Sequence, residues 1–337
     1  MLEARPDLAY RRLDPTTHEF RRPWPPDRSA QYHVHMAAPS AHSTRPPIAC
    51  GEGATVRTRI APLPTGITME YALDGPADAP VLAFVHGLGS NLHQFEAQAE
   101  RFGDRYRVLL LSLRGHGGTS NATPPTADAY TPAALARDVS ALLDHLRVKA
   151  LHYVGNSLGG LVGYELLRAD PSRLRSLTTF GTTAELRSSR WTYWLAAGTV
   201  RLLGIGGVAR LVGASASKDK SVGAELERMY RHASKVAMLH IPQHIARYDY
   251  TDTLRSAHLP LLLIQGAQDK GINDALASTL AALGDAPDAR VVPLADAGHF
   301  ANMEQPERFG EVLNGFLDDA EGRRGQSDRV PAAHERA

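Results

Sequence analysis

A serine framed by glycines is the first feature of the sequence that could carry chemistry. Ser157 lies in the segment GNSLG, residues 155–159, which follows the apolar run 150–154 and precedes a helix-like segment, 160–168. A sharp strand-to-helix turn strains the backbone of such a serine, and the flanking glycines allow strand and helix to approach closely. The pattern predicts that the Ser157 hydroxyl is presented above the sheet as a nucleophile.

A second glycine-rich turn could supply hydrogen-bond donors to the same reaction. The apolar run 81–85 ends in HGLG, residues 86–89. Acyl transfer develops negative charge on the carbonyl oxygen, and backbone N–H groups aimed at that oxygen stabilise it. We therefore expect the amides of Leu88 and Leu158 to form an oxyanion hole. His86 is expected to brace the loop by hydrogen bonding, because a general base has to reach the proton of the nucleophile.

A carboxylate and a histidine follow two later strands. Asp269 lies just after the apolar run 261–266, and His299 follows the strand-like segment 290–294. Ends of strands are where α/β sheets carry catalytic groups, and the chain order Ser, Asp, His is that of one known arrangement of a catalytic triad. We expect His299 to take the proton of Ser157 while Asp269 orients the imidazole. Glu185, shortly after the sixth predicted strand, is the alternative acid.

The elements that must position these residues alternate along the chain. Helical apolar spacing follows Thr131-Pro132 and continues to residue 146. The sequence thus predicts an α/β fold with a mostly parallel, doubly wound sheet. Eight strands are predicted, the first two as an antiparallel pair, at 56–60, 67–73, 81–85, 106–111, 150–154, 174–180, 261–265 and 290–294.

The gap between the sixth and seventh strands is too long for a single crossover helix. Residues 184–250 are predicted to form an inserted cap of two to four short helices that opens with Trp191, Tyr193 and Trp194. These aromatic residues either line an apolar substrate pocket above Ser157 or only attach the cap to the core. The segment contains arginines and many glycines, so no membrane span is expected.

Two further motifs resemble those of a known family. Residues 113–120, LRGHGGTS, are similar to the loop after the fourth strand in esterases, enol-lactonases and cofactor-free haloperoxidases of the α/β-hydrolase fold. Residues 302–306, NMEQP, resemble the helix start after the catalytic histidine of that family. The resemblance covers residues 55–317. Two positions depart from it: Ser112 replaces a usual aspartate, and no proline follows Asp269.

The resemblance implies a serine hydrolase that cleaves a carboxylic ester or lactone through an acyl-enzyme. Epoxide hydrolases and haloalkane dehalogenases of this fold use an aspartate nucleophile, for which Ser157 is a poor substitute. Asn156 and Gly159-Gly160 also resemble the elbow of carbon–carbon bond hydrolases, although Phe300 stands where those enzymes commonly have tryptophan. An enol-lactonase and a ligand-binding signalling protein that retains the triad remain alternatives.

Composition limits the partners of the chain. The 337 residues carry a formal net charge of +1, which gives no electrostatic reason to expect nucleic acid. Cys50 is the only cysteine, so an intramolecular disulfide is excluded. Because metal-ligand spacings and phosphate-binding loops are also missing from the sequence, we expect no cofactor and no metal. The expected partner is a small-molecule ester or lactone, and the oligomeric state stays open.

Three regions differ in composition. Residues 1–50 are rich in proline and arginine and have little apolar periodicity, so a disordered extension is predicted, with Met1 or Met36 as the start of translation. This extension lacks the apolar core of a secretory signal, which favours a cytoplasmic location. The hydrolase domain is predicted over 51–320, and a flexible tail over 321–337.

Overall fold

An eight-stranded sheet organises residues 56–327, which are the residues that this computed structural model describes. The predicted extension over 1–50 lies outside that range, as does the chain beyond residue 327. The strands of the molecule are β1 (Arg59–Pro62), β2 (Thr68–Asp74), β3 (Val81–Val85), β4 (Arg107–Leu111), β5 (Leu151–Asn156), β6 (Leu174–Phe180), β7 (Glu185–Arg187), β8 (Arg247–Asp249), β9 (Leu261–Gly266) and β10 (Ala289–Leu294).

The order of the strands confirms the predicted fold class. The sheet runs β1-β2-β4-β3-β5-β6-β9-β10, with β1 and β2 antiparallel to their neighbours and the remaining pairs parallel. The first strand lies further along the chain than the predicted 56–60, because its register with β2 begins at Arg59 opposite Tyr71 and ends at Pro62 opposite Thr68. Both edge strands contain a proline, Pro62 in β1 and Pro293 in β10.

Helices cover both faces of the sheet. Thr131 caps α2 (Pro132–His145) by accepting a hydrogen bond from the Ala134 amide. On its predicted apolar face Leu135, Val139, Leu142 and Leu143 are buried, and Leu146 just beyond its end is half-buried. The helices are α1 (Glu96–Phe102), α2 (Pro132–His145), α3 (Leu158–Ala169), α4 (Arg190–Ser215), α5 (Lys220–Tyr230), α6 (Lys235–Ile245), α7 (Thr251–Arg255), α8 (Lys270–Asn273), α9 (Ala277–Asp285), α10 (Ala301–Glu304) and α11 (Pro306–Ser327), with 3₁₀ turns at Leu92–Phe95, Ala127–Tyr130 and Pro171–Arg173.

Alternate residues of the strands build two separate hydrophobic clusters. In β3, Val81, Ala83 and Val85 pack with α2 and α3 on one face, whereas Leu82 and Phe84 pack with α1 and α11 on the other. Both sets are buried, as expected for a parallel sheet covered on both sides. This packing holds the carboxyl ends of the strands at fixed positions.

Three helices are inserted between β7 and β8, within the segment that joins β6 to β9. The short strands β7 and β8 pair antiparallel, with Glu185 opposite Asp249, so they bring together the two ends of the segment that holds α4, α5 and α6. Helix α4 is interrupted at Gly204, where φ is 63° and ψ is 179°. The insertion therefore begins and ends at the two-stranded sheet that β7 and β8 form beside the main sheet.

The last helix continues past the predicted domain boundary at residue 320. Helix α11 runs to Ser327, and its Glu321 carboxylate lies 2.6 Å from His152 Nε2 in β5 and 3.4 Å from Arg175 in β6. These contacts fix this part of α11 against the sheet, and residues 321–327 are helical where the sequence predicted a tail.

Candidate active site

The turn at Ser157 has the strained geometry that the glycine spacing predicts. Strand β5 ends at Asn156 and α3 begins at Leu158, and Ser157 between them has φ 50° and ψ −112°. A positive φ at a residue other than glycine costs on the order of 1–3 kcal/mol and persists only where the surroundings enforce it. Here the Ser157 amide donates to the Phe180 carbonyl over 2.9 Å.

The flanking glycines are required by close backbone contacts. A Cβ atom at Gly155 would lie 2.5 Å from the backbone of Gly159, and one at Gly159 would lie 2.1 Å from the carbonyl oxygen of Val85. Neither contact is tolerable for a side chain, and neither backbone can move without displacing the sheet. The sequence pattern therefore reflects a turn that packs directly against β3.

His299 is held by a carboxylate in the way the sequence predicts. Its Nδ1 lies 2.7 Å from Asp269 Oδ2, and the Asp269 side chain is only 11% exposed. Because a carboxylate only accepts hydrogen bonds, this contact assigns the proton to Nδ1 and leaves Nε2 as a proton acceptor. Glu185, the alternative acid, pairs instead with Arg187 in β7 at 2.5 Å.

Asn156 joins the serine turn to the histidine loop. Its side-chain amide donates to the His299 carbonyl at 3.1 Å and to the Phe180 carbonyl at 3.3 Å. A Cβ atom at Gly181 would lie 2.8 Å from this amide and 3.2 Å from His299 Cε1, so the imidazole lies beside the turn. Within residues 56–327, no direct hydrogen bond links the Ser157 hydroxyl to His299, and such bonds often form only around a substrate.

The loop after β3 lies against the serine and leaves one amide available. A Cβ atom at Gly87 would lie 3.3 Å from Ser157 Cβ. The Gly87 and Gly89 amides donate to side chains at 3.4 and 3.0 Å. For the Leu88 amide, and likewise for that of Leu158, no acceptor is found in the described part of the chain. These two amides are the ones the sequence assigned to an oxyanion hole.

Two buried histidines fix this loop. The Leu113 amide donates to His86 Nε2 at 2.8 Å, while His86 Nδ1 donates to the Gly87 carbonyl at 2.7 Å. In the same way, His116 Nε2 accepts from the Gly89 amide at 3.0 Å. Burial, together with the neighbouring His116, holds the pKa of His86 well below its usual range. Burial also lowers the pKa of His116 to about 4. Both rings are therefore neutral braces, as expected for His86.

A buried network of side-chain amides was missed by the sequence analysis. Gln94 Oε1 accepts from the Gly87 amide at 3.4 Å, and Gln94 Nε2 donates to Asn156 at 3.0 Å and to Asn302 at 3.3 Å. Asn302 in turn donates to Gln98 Oε1 at 3.0 Å. The available signal was Gln94 and Gln98, two amides four residues apart and therefore on one face of a helical segment. The network joins the loop after β3, the serine turn and the segment after His299.

Other side chains compensate for both departures from the family pattern. Ser112 donates to the Glu70 carboxylate at 2.7 Å, so β2 supplies an acid where the usual aspartate is missing. In the loop that carries Asp269, the Asn273 amide donates to the Gly266 carbonyl at 2.9 Å and accepts from Gln265 at 2.9 Å. The acid is thereby held without the usual proline.

Helix α5 contributes close contacts to this site that the sequence analysis did not predict. A Cβ atom at Gly89 would lie 2.2 Å from the ring of Tyr230, and Ser90 Oγ lies 3.2 Å from Met229 Sδ. Trp194, a predicted pocket residue, is 51% exposed. The side chains of Trp191 and Tyr193 lie outside the described part of the molecule.

Comparison with known proteins places this geometry in a family. The model of the alpha/beta hydrolase fold matches residues 80–306. The 3-oxoadipate enol-lactonase 2 of Acinetobacter baylyi is 28% identical over 262 residues, covering 74% of this chain and 93% of that protein. The pimeloyl-acyl-carrier-protein methyl ester esterase of Aromatoleum aromaticum is 30% identical over 248 residues, covering 68% and 94%.

A solved structure is similar over nearly the same part of the chain. The crystal structure of the enol-lactonase from Burkholderia xenovorans has a TM-score of 0.69 and 25% identity, covering 77% of this chain and all of that one. The sequence and structural matches agree in assigning the protein to the hydrolases. The chain belongs to the alpha/beta hydrolase fold family.

Proposed function

We propose that the protein hydrolyses a carboxylic ester or lactone with Ser157 as nucleophile, His299 as general base and Asp269 as the orienting acid. The observation that carries this proposal is the His299 imidazole, which Asp269 holds at 2.7 Å beside the strained serine turn. A nucleophile, a base and an orienting carboxylate are the parts that covalent acyl transfer requires.

The reaction uses the groups that this arrangement leaves available, which are His299 Nε2 and the Leu88 and Leu158 amides. Ser157 Oγ attacks the carbonyl carbon while His299 Nε2 takes its proton, and the Leu88 and Leu158 amides donate to the resulting oxyanion. Collapse of the intermediate breaks the bond to the leaving alcohol, which receives the proton from His299. Water repeats the sequence on the acyl-enzyme, which releases the acid and restores the serine.

The amide braces are consistent with a preorganised oxyanion hole. Donors that are already fixed need not reorganise as charge develops, and losing one such donor reduces kcat by about 10²–10³-fold in a serine protease. Gln94, His86 and His116 occupy the other hydrogen-bonding groups of the loop after β3. Their contacts leave Leu88 as the donor that can turn to a substrate.

We further propose that the inserted helices act as the cap predicted over 184–250. Tyr230 contacts Gly89, and Phe300, next to His299, packs with Val222, Leu226 and Met229 of α5. These contacts support an apolar cover beside the catalytic groups, which would bind the apolar part of the substrate.

The named relatives support both an open ester and a lactone as substrate. Both contain the acyl carbonyl that Ser157 would attack, so one mechanism serves either. A carbon–carbon bond hydrolase is the weaker alternative. Phe300 stands where such enzymes commonly have tryptophan, and it is 5% exposed and packed against α5.

A substrate panel with a matched variant tests the proposal. Purified protein is assayed with p-nitrophenyl esters of increasing acyl length, with an enol-lactone and with a ring-fission diketone, beside Ser157→Ala. We expect turnover of esters or lactone and fluorophosphonate labelling, both lost in Ser157→Ala. Labelling of the variant at the wild-type rate, or turnover of the diketone alone, would overturn the proposed reaction.

A further inference from the structure

Helix α4 exposes more apolar surface than any other element described between residues 56 and 327. Among the side chains that the structure describes, eight large apolar ones are exposed, and five of them lie on α4, at Trp194, Leu195, Leu202, Leu203 and Leu211. Leu202 is 84% exposed and Leu195 is 71% exposed. Apolar side chains clustered on one exposed surface mark an interaction site, whereas scattered ones are ordinary.

The same helix is attached to the protein by its opposite face. Ala197, Val200, Val208 and Ala209 are buried. The segment Ala197–Ser215 has a mean hydropathy of 1.2 and is long enough to be a candidate membrane span. The break at Gly204 divides the segment into two helical pieces, and the buried inner face favours pieces that lie flat, with one face in the protein and the other exposed.

The charges of α4 select the kind of partner. Arg201 and Arg210 are exposed, and between residues 190 and 215 the sequence contains no aspartate or glutamate. No ion pair of either guanidinium is found among the described residues. An exposed apolar face with arginines and no acids is the pattern of a helix that lies in the interface of an anionic bilayer.

We propose that the outer face of α4 binds the surface of an anionic phospholipid membrane. Leu195, Leu202 and Leu211 enter the boundary between head groups and acyl chains, while Arg201 and Arg210 contact the lipid phosphates. A second copy of the chain fits this face less well, because pairing α4 with itself would bring arginines together without acidic partners.

Contact of α4 with a membrane would also narrow the class of substrate, and this step rests on the proposed function. Val200 and Val208 of the inner face share a hydrophobic cluster with Leu88, whose amide is the proposed oxyanion donor. A helix bound to lipid by its outer face would thus lie directly beside the reacting carbonyl. The substrate class that fits is an amphiphilic carboxylic ester with a long apolar portion, drawn from the membrane surface.

Vesicle flotation of the full chain tests the membrane contact independently of catalysis. The probes are vesicles of phosphatidylcholine alone and of phosphatidylcholine mixed with phosphatidylglycerol. We expect binding to the mixed vesicles that weakens with added salt. Arg201→Gln with Arg210→Gln should lower that binding about 30-fold, from about 1 kcal/mol for each cation near an anionic surface. Ser157→Ala should bind like the wild type even if the proposed reaction is wrong.

The leucines provide the second arm of the test. Leu195→Ser with Leu202→Ser should lower binding to the mixed vesicles by about 10-fold or more. Ile60→Ser with Leu280→Ser, at exposed apolar positions away from α4, is the matched control and should bind normally. The proposal is overturned if the wild type does not float with mixed vesicles, or if the leucine pair binds normally. A vesicle-free dimer that the leucine pair dissociates would assign the face to a second copy instead.

Discussion

Two pairs of histidine and carboxylate lie at opposite ends of the sheet. At the carboxyl end, His299 Nδ1 and Asp269 Oδ2 are 2.7 Å apart. At the amino end, His152 Nε2 and Glu321 Oε1 are 2.6 Å apart. The second imidazole also lies 2.7 Å from a serine hydroxyl, that of Ser176. By residue type and distance alone, the amino-terminal set would be the better triad.

The difference between the two sets lies in access and in unused hydrogen-bonding capacity. His152 and Ser176 are both completely buried, and they stand opposite each other on the paired strands β5 and β6. Each nitrogen of His152 already has a partner. By contrast, the His299 side chain is 30% exposed and its Nε2 is left for a substrate reaction. A triad therefore requires a reachable hydroxyl and a free nitrogen as well as the three residue types.

The largest expected difference is between the two serines. Ser157→Ala should reduce kcat for ester hydrolysis by a factor on the order of 10⁶, as removal of the nucleophile does in a serine protease. Ser176→Ala should leave kcat unchanged, because no substrate can reach that hydroxyl. Initial rates with a p-nitrophenyl ester measure both variants. Equal losses in the two would remove the distinction between the sets.

The two carboxylates should differ nearly as strongly. Asp269→Asn should lower kcat about 10⁴-fold, because an amide can hold His299 in the wrong tautomer. Glu321→Gln should keep normal kcat, and Glu185→Gln provides the control for the alternative acid. If Asp269→Asn were nearly silent while Glu185→Gln was inactive, the carboxylate assignment would be wrong.

The amide network should affect turnover more than binding. Gln94→Leu leaves the Gly87 amide and the Asn156 carbonyl oxygen without their partner, so the loop that carries Leu88 can shift. We expect kcat to fall about 10-fold or more with KM little changed, since the oxyanion donors act chiefly in the transition state. Gln98→Leu, which touches only the Asn302 end of the network, should have the smaller effect. An increase in KM with unchanged kcat would contradict a role of Gln94 in positioning the oxyanion donors.

The smallest effect is expected on the free energy of unfolding of the protein, when the contact between His152 and Glu321 is removed. The hydrogen bond from His152 lowers the pKa of Glu321 below its usual value of 4.5. A lowered pKa in the folded state stabilises the protein above the unfolded value, and this contribution is lost as pH falls through the folded value. Glu321→Gln should therefore cost about 1 kcal/mol at neutral pH, since the carboxylate is a third exposed, and progressively less below pH 4.5. Urea unfolding at several pH values measures this difference.

Local signals made the sheet and the serine turn predictable from the sequence. The elbow depends on residues 155–159 and on the strand before them, all contiguous, and the central strands are continuous apolar runs in the sequence. Asp269 and His299 follow two such strands, so the sheet topology brings them together. In each case the chemistry is encoded next to the element that positions it.

Contacts between distant segments could not be derived in the same way. Gln94 and Asn302 meet across 208 positions of the chain, and no periodicity signals their pairing. The same holds for Glu70 beside Ser112 and for Glu321 beside His152. The contribution of Tyr230 was missed because large aromatic residues near the start of α4 gave the more obvious signal, although Tyr230 of α5 contacts Gly89 in the loop after β3.

The prolines at the two sheet edges have a consequence for behaviour at high concentration. Strand β10 has β9 as a neighbour on one side only, and Pro293 lacks the backbone N–H that an added strand would need. Pro62 at the end of β1 limits the other edge in the same way. Natural sheets use such residues to prevent pairing between molecules, which is the first step toward amyloid-like assembly. Replacing Pro293 by threonine would restore a pairing edge and open a route to sheet-mediated aggregation.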